Sequence, residues 1–305
     1  MISAEFEEKI WVYYETNLLP ATRKKYWNII RNFDKVIGHD PLRLTLDESK
    51  EYYNYLINRI NNNNLSYSTA VTRLSTIRSI CDFIENYSNA HGLKYTNFFK
   101  EISLPEEDKT IEEEDIPTIK EIDSILKVIK KNKDDKAFLI ISLVVKCALT
   151  NNEISGLNYE NIVMDTLGNL CINIPPKGRG RVSRFIKLSD DVARLLDKYI
   201  NENSINTGPI FINKRKSRIK PRDTQRMMEK YCDICIKEKK IKRRYTMQSL
   251  RHAAFTYMLK GGATKEQLAD YAGITTKWMT RYEKILTSGT VEQAIDYSII
   301  TIKSI

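Results

Sequence analysis

The chain has 305 residues, 42% of them hydrophobic and 29% charged, which is room for roughly two domains of 100 to 200 residues each and too apolar for wholesale disorder. Its 49 Lys and Arg against 39 Asp and Glu leave a formal charge of +10, an excess that suits a polyanion, with nucleic acid ahead of an anionic membrane surface. No apolar run reaches the length of a membrane span, and Met1-Ile2-Ser3-Ala4-Glu5 lacks the basic and apolar regions of a secretory leader, so a cytoplasmic protein with no membrane partner is expected.

Apolar residues recur at helical spacing over 3–17, 20–37, 46–61 and 67–87, separated by polar breaks such as Gly38-His39-Asp40-Pro41 and Asn61-Asn62-Asn63-Asn64. These four segments predict a small all-helical domain over 1–103. Its exposed cations, Lys24 and Arg73 among them, are candidates for following a phosphate backbone, set against the bland alternative of a solvated helix face. From 104 to 117 the acidic runs Pro105-Glu106-Glu107-Asp108 and Glu112-Glu113-Glu114-Asp115 mark a linker. Beyond it, over 118–305, helices are expected at 118–131 and 134–150, then a hairpin. Its strands are Leu170–Ile174 and Val182–Leu188, joined by the cationic, glycine-bearing turn Pro175-Pro176-Lys177-Gly178-Arg179-Gly180-Arg181. Helical patterns resume at 189–202, 221–239, 246–260, 264–271 and 276–283, followed by a tail. The fold class is mainly α with a small β-hairpin.

The five cysteines lie mostly in apolar segments and read as buried free thiols. Cys232 and Cys235 have metal-ligand spacing, but a structural zinc site needs four ligands and neither a second such pair nor a neighbouring histidine is at hand, so no metal is expected. Two basic stretches, Lys214 to Arg222 and Lys237 to Arg244, supply further phosphate-contact candidates: Arg215, Arg218, Arg222, Arg243 and Arg244. Arg179 and Arg181 on the hairpin turn join them.

Cleaving a phosphodiester with a side-chain nucleophile requires cations on the developing phosphorane and a proton donor for the leaving oxygen. Arg251, opening an otherwise apolar helix, suits the first role. Lys177, on a tight turn able to enter a DNA groove, suits the second. Tyr282 would attack.

The residues that carry these roles resemble a known set. Gln248-Ser249-Leu250-Arg251-His252 is similar to the His-x-Leu-Arg-His box of the tyrosine recombinases of the phage-integrase family, and Met279-Thr280-Arg281-Tyr282 to that family's nucleophile box. Pro176-Lys177-Gly178 resembles the hairpin lysine segment, and Glu153-Ile154-Ser155-Gly156-Leu157 the tail of the first arginine box. The likeness spans nearly the whole chain. It implies a helical core-binding (SAM-like) domain, a linker and a catalytic domain closing on double-stranded DNA as a clamp. It further implies a homotetramer on two DNA sites, to which the tail through Tyr297 contributes. No cofactor is implied, because a 3′-phosphotyrosine conserves the bond energy. Tyr282, Arg251 and Lys177 carry over, with His252 at a supporting position. Three positions depart from the pattern: Thr150 stands where the first arginine belongs, Gln248 where the first histidine belongs, and Ile274 where a histidine or tryptophan follows Gly273. Gln248 still offers a hydrogen bond to a phosphate oxygen, and Arg179, Arg181 or Lys146 are possible substitute cations.

Three functions therefore stand open. One is site-specific recombination, or integration of a mobile genetic element. Another is DNA binding by a degenerate recombinase with an accessory or regulatory role, and the last is a topoisomerase-like cut and reseal on the same residues.

Overall fold

The computed structural model describes residues 1–106, 110–176 and 183–282, and the chain divides into two compact units, Met1–Asp108 and Lys109–Ile305. It is mainly helical, with one small antiparallel sheet.

Among its described residues the first unit holds four α-helices. Helix α1 runs over 4–17 and includes one wider π turn, Glu7–Trp11. Helix α2, Pro20–Ile37, opens on a proline whose missing N–H costs nothing in the first turn, and it ends on Gly38 at φ 96°, a left-handed conformation that glycine adopts without strain. Helix α3, Leu46–Asn61, is started by a reciprocal cap: Thr45 Oγ1 accepts from the Glu48 N–H, and the Glu48 carboxylate accepts from the Thr45 N–H. Helix α4 is Tyr67–Ala90. The apolar faces bury Ile29, Phe33, Tyr52, Leu56, Leu74 and Ile77 in one core, with the Phe33 and Tyr52 rings edge to face at 4.8 Å.

In the second unit, α5 is Ile119–Lys131 and α6 is Asp135–Cys147. Helix α6 is buried along nearly its whole length, from Ala137 to Val145. It is wrapped by α5, by α7 (Asn151–Gly156) and by two later helices, which is why its sequence is apolar all round rather than on one stripe. The sequence pattern predicts this helix to 150. It stops earlier because Ala148 turns left-handed (φ 50°) and Thr150 is used to cap α7. The sheet follows: β1 Ile162–Met164, β2 Leu170–Ile174 and β3 Arg184–Lys187, in the order β1-β2-β3. The three-residue β1 is too short for an alternating pattern and has no counterpart in the sequence reading. The register pairs Ile172 with Ile162 on one side and Ile186 on the other, and sets Ile174 opposite Arg184. Among the described residues, helices α8 (Asp190–Glu202), α9 (Pro221–Lys237), α10 (Met247–Lys260), α11 (Lys265–Ala272) and α12 (Thr276–Met279) follow, and a 3-10 turn, Thr280–Tyr282, ends the described chain.

The acidic stretch between the units is not bare of core residues. Leu104 packs in the first unit, and Ile111 and Ile116 pack in the second. No helix among the described residues is long and apolar enough to cross a membrane.

Candidate active site

Helix α10 organises the site. Thr246 caps it, its Oγ1 accepting from the Ser249 N–H at 3.0 Å. Gln248, Arg251, His252 and Phe255 then fall on neighbouring turns of one side, as residues three and four apart do on a helix. The Arg251 guanidinium lies over the Phe255 ring at 5.0 Å and is 4% exposed. Burial lowers its pKa, with the Glu153 charge pulling the other way.

Tyr282, at the end of the 3-10 turn, comes back against this helix. Its Oη is 2.5 Å from His252 Nδ1, and its ring meets Phe255 edge-on at 5.9 Å. His252 Nε2 lies 3.0 Å from the Gln248 amide nitrogen, so the three side chains form a line. The proton on the neutral imidazole sets the polarity: either Gln248 donates to Nε2 and Nδ1–H donates to Tyr282, or Tyr282 donates to Nδ1 and Nε2–H donates to the Gln248 amide oxygen. The imidazole is stacked on Trp278 at 5.7 Å and 11°, and the Arg281 guanidinium covers that indole at 4.6 Å. Burial first, then the charges of Arg281 and Arg251, depress His252 to a pKa of about 4, so the ring is neutral at pH 7. Tyr282 is fully buried. Burial raises its phenol well above the usual range, with Arg281 and Arg251 opposing. The main chain of the turn is held from outside, since the Ile111 N–H donates to the Arg281 carbonyl at 2.8 Å.

Glu153 sits at the back of Arg251, and what surrounds it was not visible in the sequence. Arg184, the first residue of β3, donates from Nη1 to Glu153 Oε1 at 3.0 Å. The Thr150 N–H donates to Oε2 at 2.8 Å. Burial alone would push this carboxyl up, but the Arg184 hydrogen bond and the Thr150 N–H hold it below the ordinary range. Arg251 Nη1 reaches Glu153 Oε2 only at 3.7 Å, beyond hydrogen-bond range, and that nitrogen is buried without a hydrogen-bond partner. Arg184 also closes on the αL residue Gly273 (φ +63°), where an added Cβ would meet its Nη1 at 3.2 Å.

The departures from the expected pattern have local causes. Thr150 is the N-cap of α7, accepting from the Glu153 N–H at 3.1 Å. Ile274 packs on the apolar core. Lys146, a possible substitute cation on the sequence reading, is instead ion-paired with Asp191 at 3.1 Å and is 7% exposed. Burying that ammonium required a partner, and the partner removes it from the site.

Among the remaining candidates, Lys177, Arg179 and Arg181 lie outside the described residues. Arg218 is exposed and donates to the Ser155 carbonyl at 3.3 Å and to Asn158 Oδ1 at 2.5 Å. Arg244 forms a forked pair with Asp233 at 2.5 and 2.9 Å, and Arg243 covers the Tyr245 ring at 5.3 Å. Arg215 is exposed. In the first unit, Lys24, Lys25 and Arg73 line a shallow groove of about 380 Å³ between α2 and α4, with Arg73 donating to Asn32 Oδ1 at 2.9 Å. The described cysteines are all buried free thiols.

Beside Arg251 a cavity of about 410 Å³ is lined by Thr150, Arg222, Gln225, Thr246, Gln248 and Arg251 among others.

A buried arginine backed by a glutamate, with a tyrosine returning to the same helix of a mainly helical domain, defines a tyrosine recombinase catalytic domain. The chain belongs to the phage integrase family, whose pattern it matches over residues 117–283. It is 22% identical over 274 residues to a tyrosine recombinase XerC of Natranaerobius thermophilus, covering 85% of this chain and 86% of that one. It is 26% identical over 210 residues to a tyrosine recombinase of Pseudothermotoga lettingae, covering 68% and 67%. In fold it is similar to the Tn1549 transposon integrase solved with transposon right end DNA (TM-score 0.65, 16% identical, 88% of this chain and 90% of that one). It is also similar to lambda integrase solved as a tetramer on a Holliday junction (TM-score 0.63, 15% identical, 88% and 76%).

Proposed function

We propose that the chain is a site-specific recombinase of double-stranded DNA whose Tyr282 becomes covalently joined to a 3′-phosphate. The observation that carries this reading is the contact of Tyr282 Oη with His252 Nδ1 at 2.5 Å, one residue from a buried arginine with a free guanidinium nitrogen. The phenol oxygen attacks phosphorus as the bond from phosphorus to O5′ breaks. His252, neutral at pH 7, takes the phenolic proton at Nδ1 once the Gln248 amide, whose nitrogen faces His252 Nε2 at 3.0 Å, turns so that its oxygen accepts from Nε2–H. Arg251 neutralises the equatorial oxygens. Lys177, on the strength of its sequence position, protonates the leaving O5′. Reversal with a second DNA end returns the tyrosine and completes strand exchange.

Because Tyr282 is buried, attack follows a movement of the 276–282 segment that brings its oxygen to the DNA, a gating step of the kind common in enzymes. The excess positive charge that would hold DNA lies in the second unit, since the first carries slightly more Asp and Glu than Lys and Arg, and by likeness to lambda integrase the working form is a tetramer on DNA.

The degenerate reading, in which the chain binds its sites without cutting, is favoured by one observation: Thr150 is fully used as a helix cap and brings no cation. Losing one preorganised donor to the transition state costs about 3 to 4 kcal/mol, on the order of a hundred- to thousandfold in rate. The test is a nicked duplex carrying the sequence that flanks the chain's own gene. A denaturation-resistant adduct that disappears in Tyr282→Phe supports the recombinase, whereas tight binding without adduct supports the degenerate protein.

A further inference from the structure

The cavity beside Arg251 is built like a phosphate site with one wall missing. Arg251 is 4% exposed and lines it, and its Nη1 has no hydrogen-bond partner. That nitrogen is free because Glu153 is already satisfied by Arg184 and by the Thr150 N–H. The N-terminus of α10 opens on the same space through Thr246, Met247 and Gln248, and the positive end of a helix dipole favours an anion there. Thr150, with a side chain too short to cross the cavity, leaves its far wall without a fixed cation.

The opposite wall carries one. Arg222, in the first turn of α9, lines the cavity with Thr150, Gln248 and Arg251. Its side chain is 62% exposed, and its partners are weak ones, Glu229 at 3.7 Å and Gln225 at 3.3 Å. An exposed pair of this kind contributes little and gives way readily to a better partner. A phosphodiester oxygen is such a partner, because a guanidinium binds it with two parallel N–H bonds.

We infer that Arg222 and Arg251 together form a two-guanidinium site for one phosphodiester phosphate, Arg222 supplying from α9 the charge that Thr150 does not supply from the start of α7. This rests on the recombinase reading for its chemistry, but the anion site itself does not. Arg222 is thereby a catalytic residue for the scissile phosphate rather than one more contact along the backbone. Glu229 releases Arg222 when the phosphate enters.

Two measurements test it on the full chain. In the first, inorganic phosphate is titrated at constant ionic strength while thermal unfolding is followed. Phosphate raises the midpoint of the wild type and of the control Lys198→Gln, an exposed cation on α8, and leaves Arg222→Gln unmoved, while the midpoints without phosphate stay alike and show that the variant folds. In the second, adduct is measured on nicked duplexes tiling the DNA beside the chain's own gene, with the scissile position as phosphate or as neutral methylphosphonate. Arg222→Gln loses about a hundredfold on phosphate but only a few-fold on methylphosphonate, which has no charge to neutralise. Adding Thr150→Arg to Arg222→Gln restores the phosphate reaction. Phosphate stabilisation that survives in Arg222→Gln, or equal losses on both substrates, overturns the proposal, as does a wild type that phosphate does not stabilise. Phosphate stabilisation lost in Arg222→Gln together with no wild-type adduct on any duplex rejects the recombinase reading and leaves the anion site standing.

Discussion

Arg184 Nη1 lies 3.0 Å from Glu153 Oε1, and this ion pair, both members largely buried, stands behind the Arg251 guanidinium. It decides what Arg251 is free to do. Without Arg184, the carboxylate would lose its Oε1 partner and turn to Arg251, whose Nη1 is already 3.7 Å from Oε2.

Arg184→Leu is therefore expected to act twice. A buried carboxylate stripped of one partner costs about 3 to 5 kcal/mol, read as a lower urea midpoint. In the folded fraction, adduct formation falls because Arg251 is drawn onto Glu153. Arg184→Lys recovers part of the stability, since a charge remains, but not the geometry of the planar fork. A midpoint unchanged in Arg184→Leu would contradict this assignment.

Stability should fall on mild acidification through His252. Its pKa is near 4 in the folded chain against a reference of 6.5, so the unfolded state binds a proton that the folded state refuses. The loss begins as pH drops through 6.5 and levels off below 4. Between pH 7 and pH 5 it amounts to about 2 kcal/mol. His252→Gln removes this part of the pH dependence. Identical acid limbs in the two proteins would show that the histidine is not held neutral.

The bond from the Ile111 N–H to the Arg281 carbonyl ties the chain entering the second unit to the residue before the nucleophile. Ile111→Pro deletes the donor and, at about 1 kcal/mol for one hydrogen bond, should speed amide hydrogen exchange over 276–282 roughly fivefold relative to Ile111→Ala. Equal exchange in both variants would mean that packing, not the hydrogen bond, holds the turn.

Much of this was legible in the sequence, for reasons that can be named. Helices such as Leu46–Asn61 carry their own start and stop signals, and Arg251 and Tyr282 announce themselves because their boxes are local. Thr150 was legible as a gap, and its Thr-x-x-Glu spacing to Glu153 was also a capping signature. Arg184 was not legible: only the β2–β3 register and the packing of β3 against α11 place it within reach of Glu153, and no local pattern encodes that approach. Lys146 misled because the residue that neutralises it, Asp191, lies on another helix. A basic run likewise does not reveal which of its members are already bonded to their own chain, as Arg218 and Arg244 are.

The most direct measurement is the covalent adduct itself. Wild-type protein and Tyr282→Phe are incubated with nicked duplex carrying the flanking sequence and resolved under denaturing conditions. The account predicts a protein–DNA band with the wild type, its peptide mapped to Tyr282, and none with the phenylalanine variant at equal DNA occupancy. Tight binding with no adduct from the wild type, or an adduct that persists in Tyr282→Phe, would contradict it.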